Sequence, residues 1–320
     1  MTEVMESRAE QKKFKKQQKK RLLRKYRVLY LFVLPGVVLL FLFNYLPMVG
    51  LSMTFQDYDP IKGFFQSTFV GLDNFKELFR TPNIAKATVN TLLISSMKLV
   101  VTFPAPIIFA LLLNELTQLR FKKTVQTITY FPYFVSWVIV AGIWYKMLSP
   151  YDGIVNELLL RFNIVAEPIS FMQSKLWFYP ILILTDIWKN LGFSAIIYLS
   201  AMAGINQDQY EAATIDGAGR FKQAIHVTLP SIKPTIVLLF IMALSGLLNA
   251  GFDQLWTMGN MAVREIAEVL DTLVLRYLST GTIHELSVGA ALGFFKSAIG
   301  LLLFIIANYT CKKLTDSSLV

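Results

Sequence analysis

Three lysines, Lys98, Lys189 and Lys296, stand inside long apolar runs of this chain, together with one acid, Asp186. A lysine at the bilayer centre costs roughly 2.5–3.5 kcal/mol on insertion scales, so such a side chain faces a protein interior or a wet cavity. The chemistry these groups can do is ionic recognition of an anion. The alternative is structural: Asp186 lies three residues before Lys189 and can neutralise it on one helix face, while Lys98 and Lys296 reach headgroups or backbone carbonyls. Bond-making chemistry lacks its parts. The two histidines, His226 and His284, fall in loops, no G-x-S-x-G elbow occurs, and no G-x-x-x-x-G-K-[ST] phosphate loop is present. The single cysteine, Cys311, admits no intrachain disulfide and no cysteine metal cluster.

The runs that hold these lysines must be membrane helices. Hydrophobic residues make up 54% of the chain and charged ones 16%, against roughly 45–50% and about 25% in soluble proteins. A bilayer core of about 30 Å needs about 20 apolar residues rising 1.5 Å each. Six runs qualify, at 28–48, 89–113, 125–147, 177–202, 236–252 and 286–308. Only helices satisfy the backbone in unalternating runs of this length. The fold class is therefore all-α and integral to the membrane, with six transmembrane helices. Pro35, Pro47, Pro104 and Pro106 are expected to kink spans, and Trp137, Trp144, Tyr145, Trp177, Tyr179 and Trp256 to sit toward span ends at headgroup level. Asn249 breaks the fifth run near its outer end, which marks it as pore-lining.

Orientation follows from basic residues, which stay on the cytoplasmic side. Residues 1–27 carry eleven Lys and Arg, Lys12 and Lys13 among them, against three acids. That places the N-terminus inside, and six crossings return the C-terminus inside, where Lys312 and Lys313 follow the last span. The lysine-bearing spans then all run inward, and each lysine falls about ten to thirteen residues in, so the three are expected to share one level. A net charge of +10 with Lys-rich runs invites a nucleic-acid reading, but the arm has no folded module to read bases. It abuts a span, where each Lys or Arg gains on the order of 1 kcal/mol from anionic headgroups. The first span is read as retained rather than cleaved: it spans fully, and no small-x-small site follows.

The segment 204–233 has an internal design of helix, glycine break and helix. Asp208 is expected to cap a short helix with Glu211 three residues on, and that helix carries Ala212 and Ala213 before meeting Gly217 and Gly219. A second helix is expected from Arg220 to Val227, stopped by Pro230. The product is a compact cytoplasmic knob with small faces and one charge, Glu211, to offer a basic partner.

Glu211-Ala212-Ala213, then Gly217, then Leu229-Pro230 resemble the E-A-A-x-x-x-G-x(9)-I-x-L-P loop of ABC-importer permeases, with Val227 where the family usually has Ile. Tyr45-Leu46-Pro47, Gly71-Leu72-Asp73-Asn74-Phe75, Phe131-Pro132 and Trp188-Lys189-Asn190-Leu191-Gly192-Phe193 are similar to carbohydrate-importer permeases, those for complex oligosaccharides above all. The resemblance implies a permease that pairs with a second permease subunit, presents its knob to a cytosolic ATPase dimer and receives an oligosaccharide from an extracytoplasmic solute-binding protein. It implies no cofactor on this chain, ATP and Mg residing on the partner ATPase, and neither enzymatic activity nor nucleic acid as partner. A secondary transporter or channel is the alternative that intramembrane charge leaves open.

By the same resemblance the ATPase-coupling residues are Glu211, Ala212, Ala213, Gly217, Leu229 and Pro230. The substrate pathway includes Trp188, Asn190, Gly192, Phe193 and Asn249, beside Asp253, which follows at the same end, and the three lysines Lys98, Lys189 and Lys296. Hydrogen bonds from Asn249 to sugar hydroxyls stand against plain interhelical bonds. The lysines point to an acidic cargo, a uronate-containing or otherwise anionic oligosaccharide. The expected organisation is a basic arm at 1–27, a first span at 28–51 lying outermost, an outer loop at 52–87, a five-helix transport core at 88–309 and a tail at 310–320, in a bacterial cell membrane.

Overall fold

The computed structural model of the chain describes residues 21–22, 25–280 and 282–315. The basic arm up to Lys20, Arg24, and the side chains of Cys311, Lys312 and Lys313 fall outside the described set. Four helices are long and apolar enough to cross a membrane: Arg27–Phe55, Pro82–Asn114, Lys175–Ala203 and His284–Thr310. Two bent pairs, Leu119–Phe134 with Trp137–Met147 and Arg220–Ser231 with Lys233–Ser245, bring the count to six when each pair is one span.

The chain forms two compact units that divide after Met53. In the first, the helix Arg27–Leu40 holds Pro35, passes through a π turn at Phe41–Tyr45 and continues as the tight 3-10 stretch Leu46–Phe55. Pro47 accounts for the change of pitch, because its ring collides with the carbonyl four residues back and it has no N–H to donate; a wider turn moves that carbonyl aside. No residue of Arg27–Leu40 is buried, and its Leu, Val and Phe side chains suit lipid.

The second unit packs around three apolar clusters. One joins Phe178, Ile181 and Leu182 of the fourth span to Ile94, Leu255 and Met258; Trp137, Trp144, Tyr145 and Tyr179 pack against it, so these rings belong to the protein's interior as well as to any headgroup belt. A second joins Leu78 and Ile84 to Leu273, Val288 and Leu292. The third, near the 204–233 knob, joins Ile107 and Ala110 to Ala195, Tyr198, Met202 and Ile232.

The loop after the first span is ordered by Asn74. Gln56–Asp57 pairs antiparallel with Thr68–Phe69, Gln56 facing Phe69, and the Asn74 amide donates to the carbonyls of Thr54 at 3.1 Å and Gln56 at 2.8 Å. Gly71 makes the preceding turn at φ +63, and Phe75 packs against Phe55 and Phe294. The Gly71–Phe75 motif is thus a clamp for the loop. Asn74→Leu takes both donors away from buried or half-buried carbonyls, a loss of about 1–3 kcal/mol. We expect a lower thermal unfolding midpoint of the purified permease in detergent, and an unchanged midpoint would show that the clamp carries no load.

The third span departs from the straight helix expected over 125–147: its halves meet at 104°. Hydropathy is blind to this break because every residue across it is apolar or small. Pro132 lies in a 3-10 turn, Phe131–Phe134, Val135 is extended, and Ser136 caps a new helix by accepting from the Ile139 N–H at 3.4 Å. The fifth span also differs. Its helix ends at Ser245 rather than near 252, Gly246 follows, and Gly251 at φ +95 turns the chain into the short helix Phe252–Met258. Asn249 is therefore in an irregular linker.

Candidate functional site

Where the second, fourth and fifth spans diverge, on the side of the knob, they enclose a cavity of about 510 Å³. Its polar wall is Lys98, Asp186, Asn190 and Asn249, and its aromatic wall includes Tyr133 and Phe193, whose rings stack at 3.7 Å and 5°. The second span breaks beside it at Thr102–Phe103, ahead of Pro104 and Pro106, which lack the N–H to continue the helical ladder.

Lys98 organises the end of the cavity away from the knob. Its Nζ donates to Gln254 Oε1 at 2.6 Å and lies 3.5 Å from Asp186 Oδ1, which also accepts from the Asn190 amide at 3.1 Å. Gln254 is buried, and its Nε2 donates to the Leu182 carbonyl at 2.8 Å and to Thr185 Oγ1 at 2.7 Å. Both ends of the amide are satisfied in only one orientation, so Gln254 stands as a plug between the second and fourth spans. Gly251 lets it approach: a Cβ there would meet the Lys98 ammonium at 2.6 Å in a backbone conformation that side chains rarely adopt.

The three lysines do not share one site. Asp186 pairs with Lys98 across the bundle rather than with Lys189 on its own helix. Lys189 is buried and donates to the carbonyls of Pro132, Tyr133 and Val135 at 3.3, 2.8 and 2.5 Å, with its ammonium 5.5 Å from the ring centroids of Tyr133 and Trp137. The broken third span leaves carbonyls short of helical donors, and the lysine supplies them. Lys296 pairs with Asp271 outside the main cavity. Lys98, Asn190, Phe193 and Asn249 line the cavity; Trp188, Lys189, Gly192, Asp253 and Lys296 do not. Trp188 packs edge to face on Trp144, Gly192 is turned against Thr129 of the third span, and Asp253 is exposed in the first turn of the Phe252–Met258 helix. The residues that motif reading missed are Tyr133, signalled only by the Phe131-Pro132 pair before it, and Gln254 as the partner of Lys98.

The 204–233 knob has the expected outline with two corrections. Its first helix, Gln207–Ile215, is capped by Asn206, whose Oδ1 accepts from the Asp208 N–H at 3.1 Å, and not by Asp208. Pro230 does not stop the second helix: Arg220–Ser231 continues through a π turn at Ala224–Thr228, and the break comes at Ile232, with a bend of 63° into the fifth span. The π turn shifts the carbonyl that the proline ring would strike. Gly217, at φ +77, closes the first helix with Ala218 N–H to Ala213 O at 2.8 Å and Gly217 N–H to Thr214 O at 3.0 Å. Tyr210 to Thr228 at 2.8 Å, and Gln223 to both Thr214 and Ala218 at 2.9 Å, brace the halves. Glu211 and Ala212 are exposed, Ala213 is partly so, and Ile215 and Phe221 are 87% and 78% exposed. Leu229 roots the knob in the third apolar cluster while Pro230 stays exposed.

At the opposite end, Glu268 sits between Arg276, with which it pairs, and Arg264 at 4.0 Å. Burial pushes its carboxyl above the ordinary range, and the charge of Arg264 partly offsets this.

A family model described as binding-protein-dependent transport system inner membrane component matches residues 87–315. The chain is 41% identical over 297 residues to Protein LplB of Bacillus subtilis (strain 168), covering 93% of this chain and 92% of that one. It is 42% identical over 309 residues to the polygalacturonan/rhamnogalacturonan transport system permease protein YteP of the same organism, covering 96% and 95%. Among solved structures, a chain of a bacterial alginate ABC transporter in complex with alginate pentasaccharide-bound periplasmic protein superposes with a TM-score of 0.83 at 35% identity, covering 93% of this chain and 98% of that one. Four to six candidate spans, an exposed Glu-Ala-Ala knob and a polar-aromatic cavity agree with these matches: the chain belongs to the inner-membrane permeases of binding-protein-dependent ABC importers for oligosaccharides and polysaccharide fragments.

Proposed function

We propose that the cargo is an acidic, uronate-containing oligosaccharide and that it passes through the Lys98 cavity. The observation that carries this reading is Lys98 itself, the one cation among the residues lining a cavity that also holds its partner Asp186, and whose amide and aromatic groups suit sugar hydroxyls and ring faces. Relatives named for polygalacturonan and alginate transport support it. Lys189 and Lys296 lend it nothing, since neither lines this cavity.

The mechanism follows from the plug. Cargo released by a solute-binding protein enters from the side of the loop between spans five and six, and Gln254 must leave Lys98 before a sugar can reach the cavity. The helix that carries Gln254 follows a linker bounded by Gly246 and Gly251, where the chain can turn. A cargo carboxylate then takes the place of the Gln254 oxygen on Lys98, while Asp186 keeps the ammonium oriented. Force for the opening comes through the knob: Glu211, Ala212, Ala213 and the Gly217 turn dock into a cytosolic ATPase dimer that holds ATP and Mg, and a second permease forms the other half of the pore. Eleven basic residues in the arm support an N-terminus on the cytoplasmic side, and six crossings return the C-terminus to the same side.

The test is uptake into proteoliposomes holding the complete transporter, with trigalacturonate and its methyl ester as cargo. Lys98→Met should cut trigalacturonate uptake about tenfold, the loss of one charged contact, and leave the ester unaffected. Because the single change strands Asp186, the double variant Lys98→Met/Asp186→Asn should keep assembly at the wild-type level and remain poor for the anion. Equal uptake of both cargoes by all three proteins, or a wild type that takes only the ester, would overturn the reading.

A further inference from the structure

Beyond the Gln254 plug, the segment between spans five and six holds a second cavity, of about 330 Å³, with Trp256, Asn260, Arg264, Glu268 and Arg276 in its wall. That volume lies at the lower end of the roughly 300–1,000 Å³ of small-ligand pockets. It adjoins the plug directly. Gln254 and Trp256 share the helix Phe252–Met258, so one side chain is buried against Lys98 while the other, 49% exposed, opens into this cavity with its ring stacked on Phe252 at 5.9 Å.

The polar groups here are unequally engaged. Asn260 is fully committed: its amide donates to Tyr145 Oη at 3.1 Å and to the Met172 carbonyl at 2.7 Å, and its oxygen accepts from the Ala262 N–H. Glu268 pairs with Arg276. Arg264 is 46% exposed in its side chain and stands 4.0 Å from Glu268, beyond hydrogen-bond length. Two guanidiniums stand against one carboxylate in this wall, beside an exposed indole. An indole face suits the apolar face of a pyranose ring, and a guanidinium fork suits a carboxylate.

We propose that this second cavity is a receiving subsite for a carboxylate-bearing sugar residue, with Trp256 as platform for the ring and Arg264 as fork for the carboxylate, one step ahead of the Gln254 plug. The inference rests on the acidic-cargo reading above. Glu268 offsets part of the positive charge of the subsite, which holds the sugar firmly enough to accept it and weakly enough to pass it on.

The experiment uses the complete transporter in proteoliposomes with its solute-binding protein, and trigalacturonate and its methyl ester as probes. Arg264→Gln should raise the concentration of trigalacturonate-loaded binding protein needed for half-maximal uptake about tenfold and leave the ester unchanged. Arg264→Lys should recover part of that loss, and Trp256→Ala should slow both probes. Capture of the unloaded binding protein, measured separately, should not change. If Arg264→Gln weakens capture of unloaded and loaded binding protein alike, Arg264 is a protein contact and the subsite is wrong. If wild type prefers trigalacturonate and Arg264→Gln equals it, the subsite falls and the acidic-cargo reading stands. If wild type takes only the ester, both fall.

Discussion

Gly192→Val should leave little or no assembled transporter in the membrane. A Cβ at Gly192 would lie 2.3 Å from the Thr129 carbonyl oxygen, 2.5 Å from its carbon and 2.8 Å from the Tyr130 ring. Two of these atoms are helix backbone and cannot rotate away, so the third and fourth spans would have to part. Small residues permit such close helix approach in membranes, where packing rather than water drives association. Overfilling a well-packed contact costs about 1–3 kcal/mol, and a clash with backbone belongs at or above the upper end. Separation would also draw Lys189 away from the three carbonyls it serves one turn earlier. The readout is the amount of intact complex recovered by size-exclusion chromatography. Gly142→Ala, where an added Cβ meets nothing within 4 Å, is the matched control and should assemble normally. Wild-type yield of a Gly192→Val complex would refute the close crossing.

Gly217→Leu should act at the other end, on coupling rather than assembly. A Cβ there meets nothing within 4 Å, so the chain itself tolerates the bulk. The backbone does not: φ is +77, and a non-glycine residue in the left-handed region costs about 1–2 kcal/mol. That strain falls on the turn that fixes the Gln207–Ile215 helix against the rest of the knob, and the new side chain projects into the space where the ATPase docks on our reading. We expect transport to fall at least about tenfold and cargo-stimulated ATP hydrolysis to lose its stimulation while the complex stays intact. Gly217→Asn separates the two causes, since Asn enters the left-handed region more readily, and should retain more transport than the leucine variant. Normal cargo-stimulated hydrolysis in Gly217→Leu would sink the assignment.

The approximate places of the four long spans, and of the two bent pairs that make six when each is one span, were legible because each run of apolar residues is long enough to cross a bilayer, a property of composition alone. The knob was legible because its Glu-Ala-Ala, glycine and Leu-Pro elements stand at fixed spacing. What escaped were features decided between helices. The break in the third span rests on Pro132 and Ser136, two small signals inside a stretch that hydropathy reads as continuous. Spacing favoured Asp186 with Lys189, yet the neighbouring break offers that lysine three carbonyls, and Asp186 turns to Lys98 eighty-eight positions away. Gly192 lies in a motif that resemblance assigns to cargo contact, whereas its lack of a side chain serves the helix crossing. Periodicity along one chain carries no information about which side chain an adjacent helix will claim.

The pairing of Lys98 with Asp186 and of Lys296 with Asp271 bears on voltage. A charge carried across the full membrane potential exchanges about 2.3 kcal/mol per 100 mV. Helices that shift with both members of a pair move almost no net charge, so the resting potential neither helps nor resists their rearrangement. Electrical work then falls on the cargo: each carboxylate drawn into an inside-negative cell costs about 2.3 kcal/mol per 100 mV, and a triuronate about three times that. On the acidic-cargo reading, the slope of uptake against membrane potential counts the carboxylates on the sugar and is silent about Lys98 and Lys296, while Lys189, held by carbonyls alone, adds to it only if the fourth span moves across the field.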